Sequence, residues 1–221
     1  MPSALILGAS RGLGLGVAHE FAKRGWTVTG TVRKEEDRPA LERAGAHALL
    51  CDITDPAAVA ALHGQVPAGL DLLFVNAGVS GPKHQDAGHT TAEEAGALFL
   101  TNAVAPVAAA RALQDRLAAD GVLAFMSSRM GSVALNDNGS LELYRASKAA
   151  LNSLTRSMVA KDGGALTVLT LHPGWVQTDM GGQGADLDVP TSVHGLADVI
   201  LAQRGLPGSR FLDYSGAELA W

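Results

Sequence analysis

The chain has 221 residues, 47% of them hydrophobic and 18% charged, with a formal net charge of −5. That apolar content at this length supplies a buried core and argues against intrinsic disorder, and the acidic balance argues against a nucleic-acid partner, which calls for a basic surface. The single cysteine, Cys51, cannot form an internal disulfide, so nothing points to an oxidising compartment.

In chain order, Met1-Pro2-Ser3 leads into a short apolar run, Ala4–Leu7, without the basic start and longer apolar stretch of a signal peptide. That run is expected to be a strand, followed by a glycine-rich turn and a helix, Leu13–Arg24. Strand Thr27–Val32 comes next, with Glu35 and Glu36 opening a solvated helix, then strand His47–Cys51 and helix Pro56–Gly64. Strand Asp71–Val75 precedes a long helix, Ala92–Ala119, which Thr90 or Thr91 would cap and Pro106 would kink or break. Strand Val122–Met126, helix Tyr144–Lys161 and strand Leu166–Leu171 follow, and helix Ser192–Gln203 with a segment near Arg210–Leu212 adds a last pair. The strands are nearly continuous apolar runs, as a sheet buried on both faces requires. Their one-by-one alternation with helices implies right-handed crossover units. The expectation is one α/β domain over residues 1–221, a Rossmann-like doubly wound parallel sheet of about seven strands with helices on both faces. The longest uncharged stretches, Ala95–Ala110 and Gly163–Thr178, have 16 residues each, short of the roughly 20 a spanning helix needs. A soluble, cytoplasmic protein without a membrane partner is expected.

Gly8-Ala9-Ser10-Arg11-Gly12-Leu13-Gly14 follows the first strand and opens a helix. Glycines there allow a tight turn and let a pyrophosphate reach the helix N-terminus, where free N–H groups favour anions. The spacing Gly-x-x-x-Gly-x-Gly differs from the commoner Gly-x-Gly-x-x-Gly of dinucleotide sites, and an ordinary strand-to-helix turn is the plain alternative. Gly8-x-Ser10-x-Gly12 also matches a serine-hydrolase nucleophile elbow, with His194 and an aspartate to complete a triad on paper. Only one strand precedes it, however, so no earlier loop supplies an oxyanion N–H. At the end of the second strand, Thr31-Val32-Arg33 stands where an acidic residue would hold the ribose hydroxyls of NAD. Arg33 and Arg11 can instead converge on a 2′-phosphate, so NADP(H) is the cofactor expected.

Tyr144 and Lys148 are four residues apart and share one helix face. A phenol titrates near ~10, and a neighbouring ammonium is expected to lower that value and make the pair a general acid/base. The plain alternative is an exposed helix pair. Asn76-Ala77-Gly78 ends one strand and Ser127-Ser128-Arg129-Met130-Gly131 ends another. In an open α/β sheet, ligands bind outside the carboxyl ends of the strands, so one crevice accounts for the glycine turn, Asn76, Ser128, Tyr144 and Lys148 together.

With Pro173-Gly174 added, these motifs, in this order and spacing, identify a chain that resembles the classical short-chain dehydrogenase/reductase family over essentially its whole length. The stretches Tyr144–Asn152, His172–Met180 and Phe211–Gly216…Trp221 resemble its C-factor/carbonyl-reductase branch. The resemblance implies that Ser128 hydrogen-bonds a substrate carbonyl oxygen while Tyr144 gives or takes its proton. It implies further that Lys148 binds the nicotinamide ribose and that Asn102 anchors a proton-relay water. Asp52 would contact the adenine, and Asn76 would brace the sheet, with Ala77 and Gly78 lining the cofactor. Gly8, Ser10, Arg11, Gly12, Leu13 and Gly14 would hold its phosphates, and Pro173, Gly174, Val176 and Thr178 its nicotinamide end. The family pattern puts the active serine three before a glycine, which selects Ser128 over Ser127 and leaves Ser127 a supporting hydroxyl. The activity implied is reduction of a small-molecule carbonyl, or oxidation of the alcohol, by a homodimer or homotetramer. A non-catalytic NADP-binding signalling protein on the same fold is the alternative class.

Leu135, Asn136, Trp175, Met180 and the 84–89 loop are expected to border the substrate pocket. The polar turn Asn136–Ser140 would shape its mouth, under a short, open lid from Asp179 to Pro190. His84 and His89, spaced by five with one Asp and no Cys between, do not make a zinc pattern, and no metal site is expected. Cys51 is expected to be a small buried hydrophobe.

Overall fold

The short apolar runs become strands that all enter one sheet, the central ones buried from both sides and the edge strands only in part. The computed structural model describes residues 1–161 and 165–221, so the first two residues of the Gly163–Thr178 stretch lie outside it. The elements are β1 (Ser3–Leu7), α1 (Gly12–Lys23), β2 (Thr27–Val32), α2 (Arg38–Arg43), β3 (His47–Leu50), α3 (Pro56–His63) and β4 (Leu70–Val75). They continue with α4 (Ala92–Phe99), α5 (Ala105–Leu113), β5 (Leu117–Met126), α6 (Glu142–Lys161), β6 (Thr167–His172), α7 (Val189–Gln203) and β7 (Gly208–Asp213).

The seven strands run in the order β3-β2-β1-β4-β5-β6-β7, and every pairing is parallel. The expected doubly wound fold is therefore present. Side chains alternate across each strand, so neighbours on one strand feed different layers. Ile6, Phe74 and Ala124 pack with Phe21 of α1 and with Leu196 and Ile200 of α7. Leu5, Leu73 and Phe125 pack on the other face with Leu62, Leu113 and Leu151. Chain order reverses between β1 and β4, and Leu7 pairs with Val75 there at the carboxyl ends. A crevice opens at such a point in this class of sheet.

The long helix differs from expectation. It ends at Arg116, and β5 starts at Leu117 rather than Val122, with a register shift between Leu70 and Leu72. Gly121 permits that irregularity, because a Cβ there would stand 2.8 Å from the Leu70 carbonyl oxygen. Between α4 and α5 a π turn, Leu100–Val104, interrupts the α-helix. Pro106 explains it: proline lacks the N–H that would bond the Asn102 carbonyl, and the backbone widens where the α ladder fails. Thr91 is the cap, paired with Glu94 in a reciprocal capping box. By length and composition the continuous ribbon Ala92–Arg116 could cross a membrane, but half of its apolar window is buried within the protein.

Candidate active site

A cleft of about 1040 Å³ lies at the β1/β4 reversal, across the carboxyl ends of the strands. Every site residue anticipated from the motifs lines it except Gly14 and Asn102, and both of those support it from behind. Gly8 and Gly12 have φ of 86° and 53°, which suits residues without a side chain. A Cβ on Gly14 would stand 2.1 Å from the Gly8 carbonyl oxygen and 2.5 Å from Asn76 Nδ2, so only glycine lets the helix start this close. Asn76 Nδ2 donates to that same oxygen at 2.7 Å, and the Gly8 N–H donates to Thr31 Oγ1 at 3.0 Å. The turn is thus stitched to β2 and β4, leaving a backbone cradle at the N-terminus of α1 that could hold a pyrophosphate.

Further along this wall, Asp52 accepts from the Thr54 N–H at 2.9 Å and from Thr54 Oγ1 at 2.7 Å. Burial alone would raise the Asp52 carboxyl, but these bonds and the Arg33 charge hold it below its usual range. Cys51 is buried as expected, and burial, with the Asp52 and Asp55 charges, pushes its thiol up to about 11. Arg11 does not wait free: its guanidinium pairs with Asp179 at 3.0 Å, both side chains largely exposed.

The opposite wall comes from β5, β6 and the start of α6. Ser127 is buried and donates to Asn152 Oδ1 at 2.7 Å, so it supports the strand end. Ser128 faces the cleft, its Oγ accepting from the Met130 N–H at 3.1 Å, and Tyr144 lines the same cleft. Lys148 is buried, its Nζ 5.8 Å from the centre of the Tyr144 ring and donating to the Met126 carbonyl at 2.9 Å. Asn102 is fully buried on the π turn and clamps Val79, accepting from its N–H and donating to its carbonyl, both at 2.8 Å. A Cβ on Gly78 would meet Asn102 Oδ1 at 3.2 Å and Lys148 Nζ at 3.4 Å, so these three residues converge.

The electrostatics differ from expectation. Burial pushes the Tyr144 phenol up to about 12, only partly opposed by the Ser128 hydroxyl, and pushes the Lys148 ammonium down to about 8. The expected depression of the phenol by the ammonium is overturned here. Removing both groups from water penalises both charged forms, and the ammonium spends a hydrogen bond on Met126. Burial also pushes His172, at the end of β6, down to about 4, and its buried Nδ1 has no hydrogen-bond partner among the described residues.

Of the residues expected around the pocket, Leu135, Trp175 and Met180 line the cleft, whereas Asn136 and the 84–89 loop do not. Asp137 and Asn138 place the Asn136–Ser140 turn at the mouth, and buried Arg145 fastens it, bonding the Ser140 carbonyl at 2.6 Å and Asn138 Oδ1 at 2.9 Å. The hydrolase triad does not assemble, because His194 is engaged by Glu20 at 2.9 Å and Asp198 at 3.5 Å between α1 and α7. Sequence reasoning missed Arg145 and Gln85, the latter because its partner, Tyr144, lies 59 residues away.

Residues 2–186 match the family model described as short chain dehydrogenase. C-signal of Myxococcus xanthus is 42% identical over 156 residues, covering 69% of this chain and 93% of that one. A carbonyl reductase from Pseudomonas aeruginosa PAO1, crystallised in complex with NADP, is 43% identical with a TM-score of 0.93, covering 100% of both chains. A Burkholderia multivorans chain assigned to the short-chain dehydrogenases/reductases, with bound NADP, is 40% identical with a TM-score of 0.95, covering 100% of this chain and 99% of that one.

Proposed function

The chain belongs to the short-chain dehydrogenase family, and we propose that it is an NADP-dependent oxidoreductase that reduces a carbonyl, or oxidises the matching alcohol, with residues 1–221 acting as one dinucleotide-binding catalytic domain. The observation that carries this reading is the Ser128–Tyr144–Lys148 group, its serine and lysine buried and its tyrosine half-buried, facing a glycine cradle across one cleft. When bound, NADP(H) supplies or accepts the hydride. The cradle Gly8–Gly14 suits its pyrophosphate, since at Gly14 any side chain would collide with the turn. Arg11 and Arg33 hold the 2′-phosphate, Asp52 the adenine, and Ala77 and Gly78 the face beside Asn76. Pro173, Gly174, Val176 and Thr178 hold the nicotinamide end, and Lys148 the adjoining ribose.

Ser128 orients the substrate carbonyl oxygen and Tyr144 donates its proton to it. A phenol raised to about 12 stays protonated at neutral pH, and the alkoxide formed by reduction is the stronger base, so the transfer runs downhill. Alcohol oxidation needs the phenolate, so its rate rises with pH while reduction does not. Asn102 anchors the water that returns a proton by way of Lys148, a role consistent with their convergence at Gly78.

The test is NADPH consumption with a panel of aldehydes, ketones and quinones, beside titrations of NADPH and NADH by tryptophan fluorescence. No response to either cofactor would end the reading, and tighter binding of NADH would remove the role given to the two arginines. The likeness to C-signal favours a second reading, a signalling protein on this fold, and absence of turnover across the panel with NADPH still bound would support it. Exposed Leu100, Val104 and Leu154 near the packing of α4 and α6 support self-association in a homodimer or homotetramer, which sedimentation checks.

A further inference from the structure

Among the described residues, two that are not glycine hold a left-handed backbone: Gln85 (φ 55°) and Leu141 (φ 53°). Such a conformation is disfavoured for a residue with a side chain and persists only where the surroundings hold it. The two lie 56 positions apart by number, yet both converge on the start of α6.

Gln85 is held by its own carboxamide. Nε2 donates to the carbonyls of Ser80 and Pro82, both at 2.7 Å, and Oε1 accepts from the Tyr144 N–H at 2.9 Å. Tyr144 is the third residue of α6, so its N–H has no partner inside the helix. The residue before the helix, Leu141, has no side-chain acceptor to offer. Gln85 therefore supplies from a distant loop the cap that a local Ser or Asp would give. A second tie runs in parallel, the Ala87 N–H donating to Glu142 Oε1 at 2.5 Å. Gln85 itself does not line the cleft.

We propose that Gln85 is a positioning residue for the reaction: its carboxamide fixes the first turn of α6 and thereby sets where the Tyr144 hydroxyl stands relative to Ser128 and Lys148. This rests on Tyr144 being the acid–base group. A loop shaped only for its own packing would need a left-handed backbone but no carboxamide, and glycine would serve it better than glutamine.

That contrast supplies the experiment. Gln85→Gly relaxes the backbone and removes the carboxamide, and Gln85→Asn, which tolerates the same φ, keeps the carboxamide but is one methylene too short. In both variants kcat for carbonyl reduction should fall about tenfold or more, with NADPH affinity kept within about twofold. The chain has two tyrosines, Tyr144 and Tyr214, so carbon-13 NMR of labelled tyrosine rings reads each one. The Tyr144 resonance should shift or broaden while that of Tyr214 stays. An unmoved Tyr144 resonance, an unchanged kcat in Gln85→Gly, or a parallel loss of NADPH affinity would each overturn the proposal. Should the glycine variant not fold, the asparagine variant decides by the same readouts. Undiminished turnover in Tyr144→Phe would instead defeat the acid–base reading, a failure distinct from an unmoved resonance.

Discussion

The two walls of the cleft are built on different principles. The wall from β1, α1, β2 and the end of β3 is made largely of backbone: glycines at positive φ, a turn stitched by Asn76 and Thr31, and a helix start that only glycine permits. Its titratable groups sit far from neutrality, Asp52 held low and Cys51 pushed up to about 11. The wall from β5, β6 and α6 is made of buried and half-buried side chains, with Tyr144, Lys148 and His172 all displaced by dehydration. Binding therefore depends on close approach, whereas chemistry depends on what burial does to charge. Damage to the first wall should be steric and insensitive to pH, and loss of the Tyr144 hydroxyl from the second should leave binding intact and change how the rate follows pH.

The largest expected effect separates the walls most sharply. Tyr144→Phe should lower kcat about 10³-fold, the scale of a lost general acid, with NADPH affinity within about twofold of the native protein. Single-turnover rates beside a fluorescence titration check it, and equal losses in both would show that the walls are not separable. Gly14→Ala is the converse. Its Cβ would stand 2.1 Å from a backbone oxygen that is itself bonded to Asn76, so the turn must open. A destabilisation of about 3 kcal/mol is expected in thermal or denaturant unfolding, with NADPH affinity falling alongside and no change in the shape of the pH–rate profile. A native-like affinity would mean that the cradle is softer than its contacts imply.

His172 tests the titrating wall at a smaller scale. Its folded value of about 4 lies below its usual 6.5, so the unfolded chain takes up a proton first as pH falls. Stability is then complete above about 6.5, declines as pH falls through the window, and loses this contribution fully below about 4. The slope should reach on the order of 1 kcal/mol per pH unit. Unfolding of native protein and His172→Gln across that window measures it. An acid limb equally steep in both would assign the loss to the carboxylates instead.

What could be read from the residues divides along the same line. The glycine turn was legible because its demands are local: positive φ and close approach fall within seven positions, Gly8 to Gly14. Tyr144 and Lys148 were legible because helical geometry joins positions four apart. The seven strands were legible from their apolar runs, though β5 hid its first five residues, Leu117–Gly121, in an alanine-rich stretch that resembles the end of a helix. The π turn at Asn102 showed only as a proline that had to disturb something. The direction of the Tyr144 and Lys148 shifts was not legible, because dehydration belongs to the assembled fold. Gln85 was hidden for the same reason: its partners, Ser80 and Pro82 aside, lie across the chain on α6.

The smallest expected effect concerns the pair that spans the mouth, Arg11 with Asp179. Both side chains are largely exposed, so the ion pair contributes less than about 1 kcal/mol, and Asp179→Ala should leave the unfolding midpoint nearly unchanged. The pair still occupies the guanidinium that is to meet the 2′-phosphate. Without Asp179, Arg11 is released toward a ligand that carries that phosphate and gains nothing toward one that lacks it. NADPH affinity should therefore rise by about two- to fivefold at low salt, with the gain shrinking as ionic strength screens it, while NADH affinity stays constant. An equal rise for both cofactors would place the effect in the Asp179 segment rather than in Arg11. No rise for either would show that Arg33 alone carries the phosphate, and that the backbone wall needs only one charge to choose its ligand.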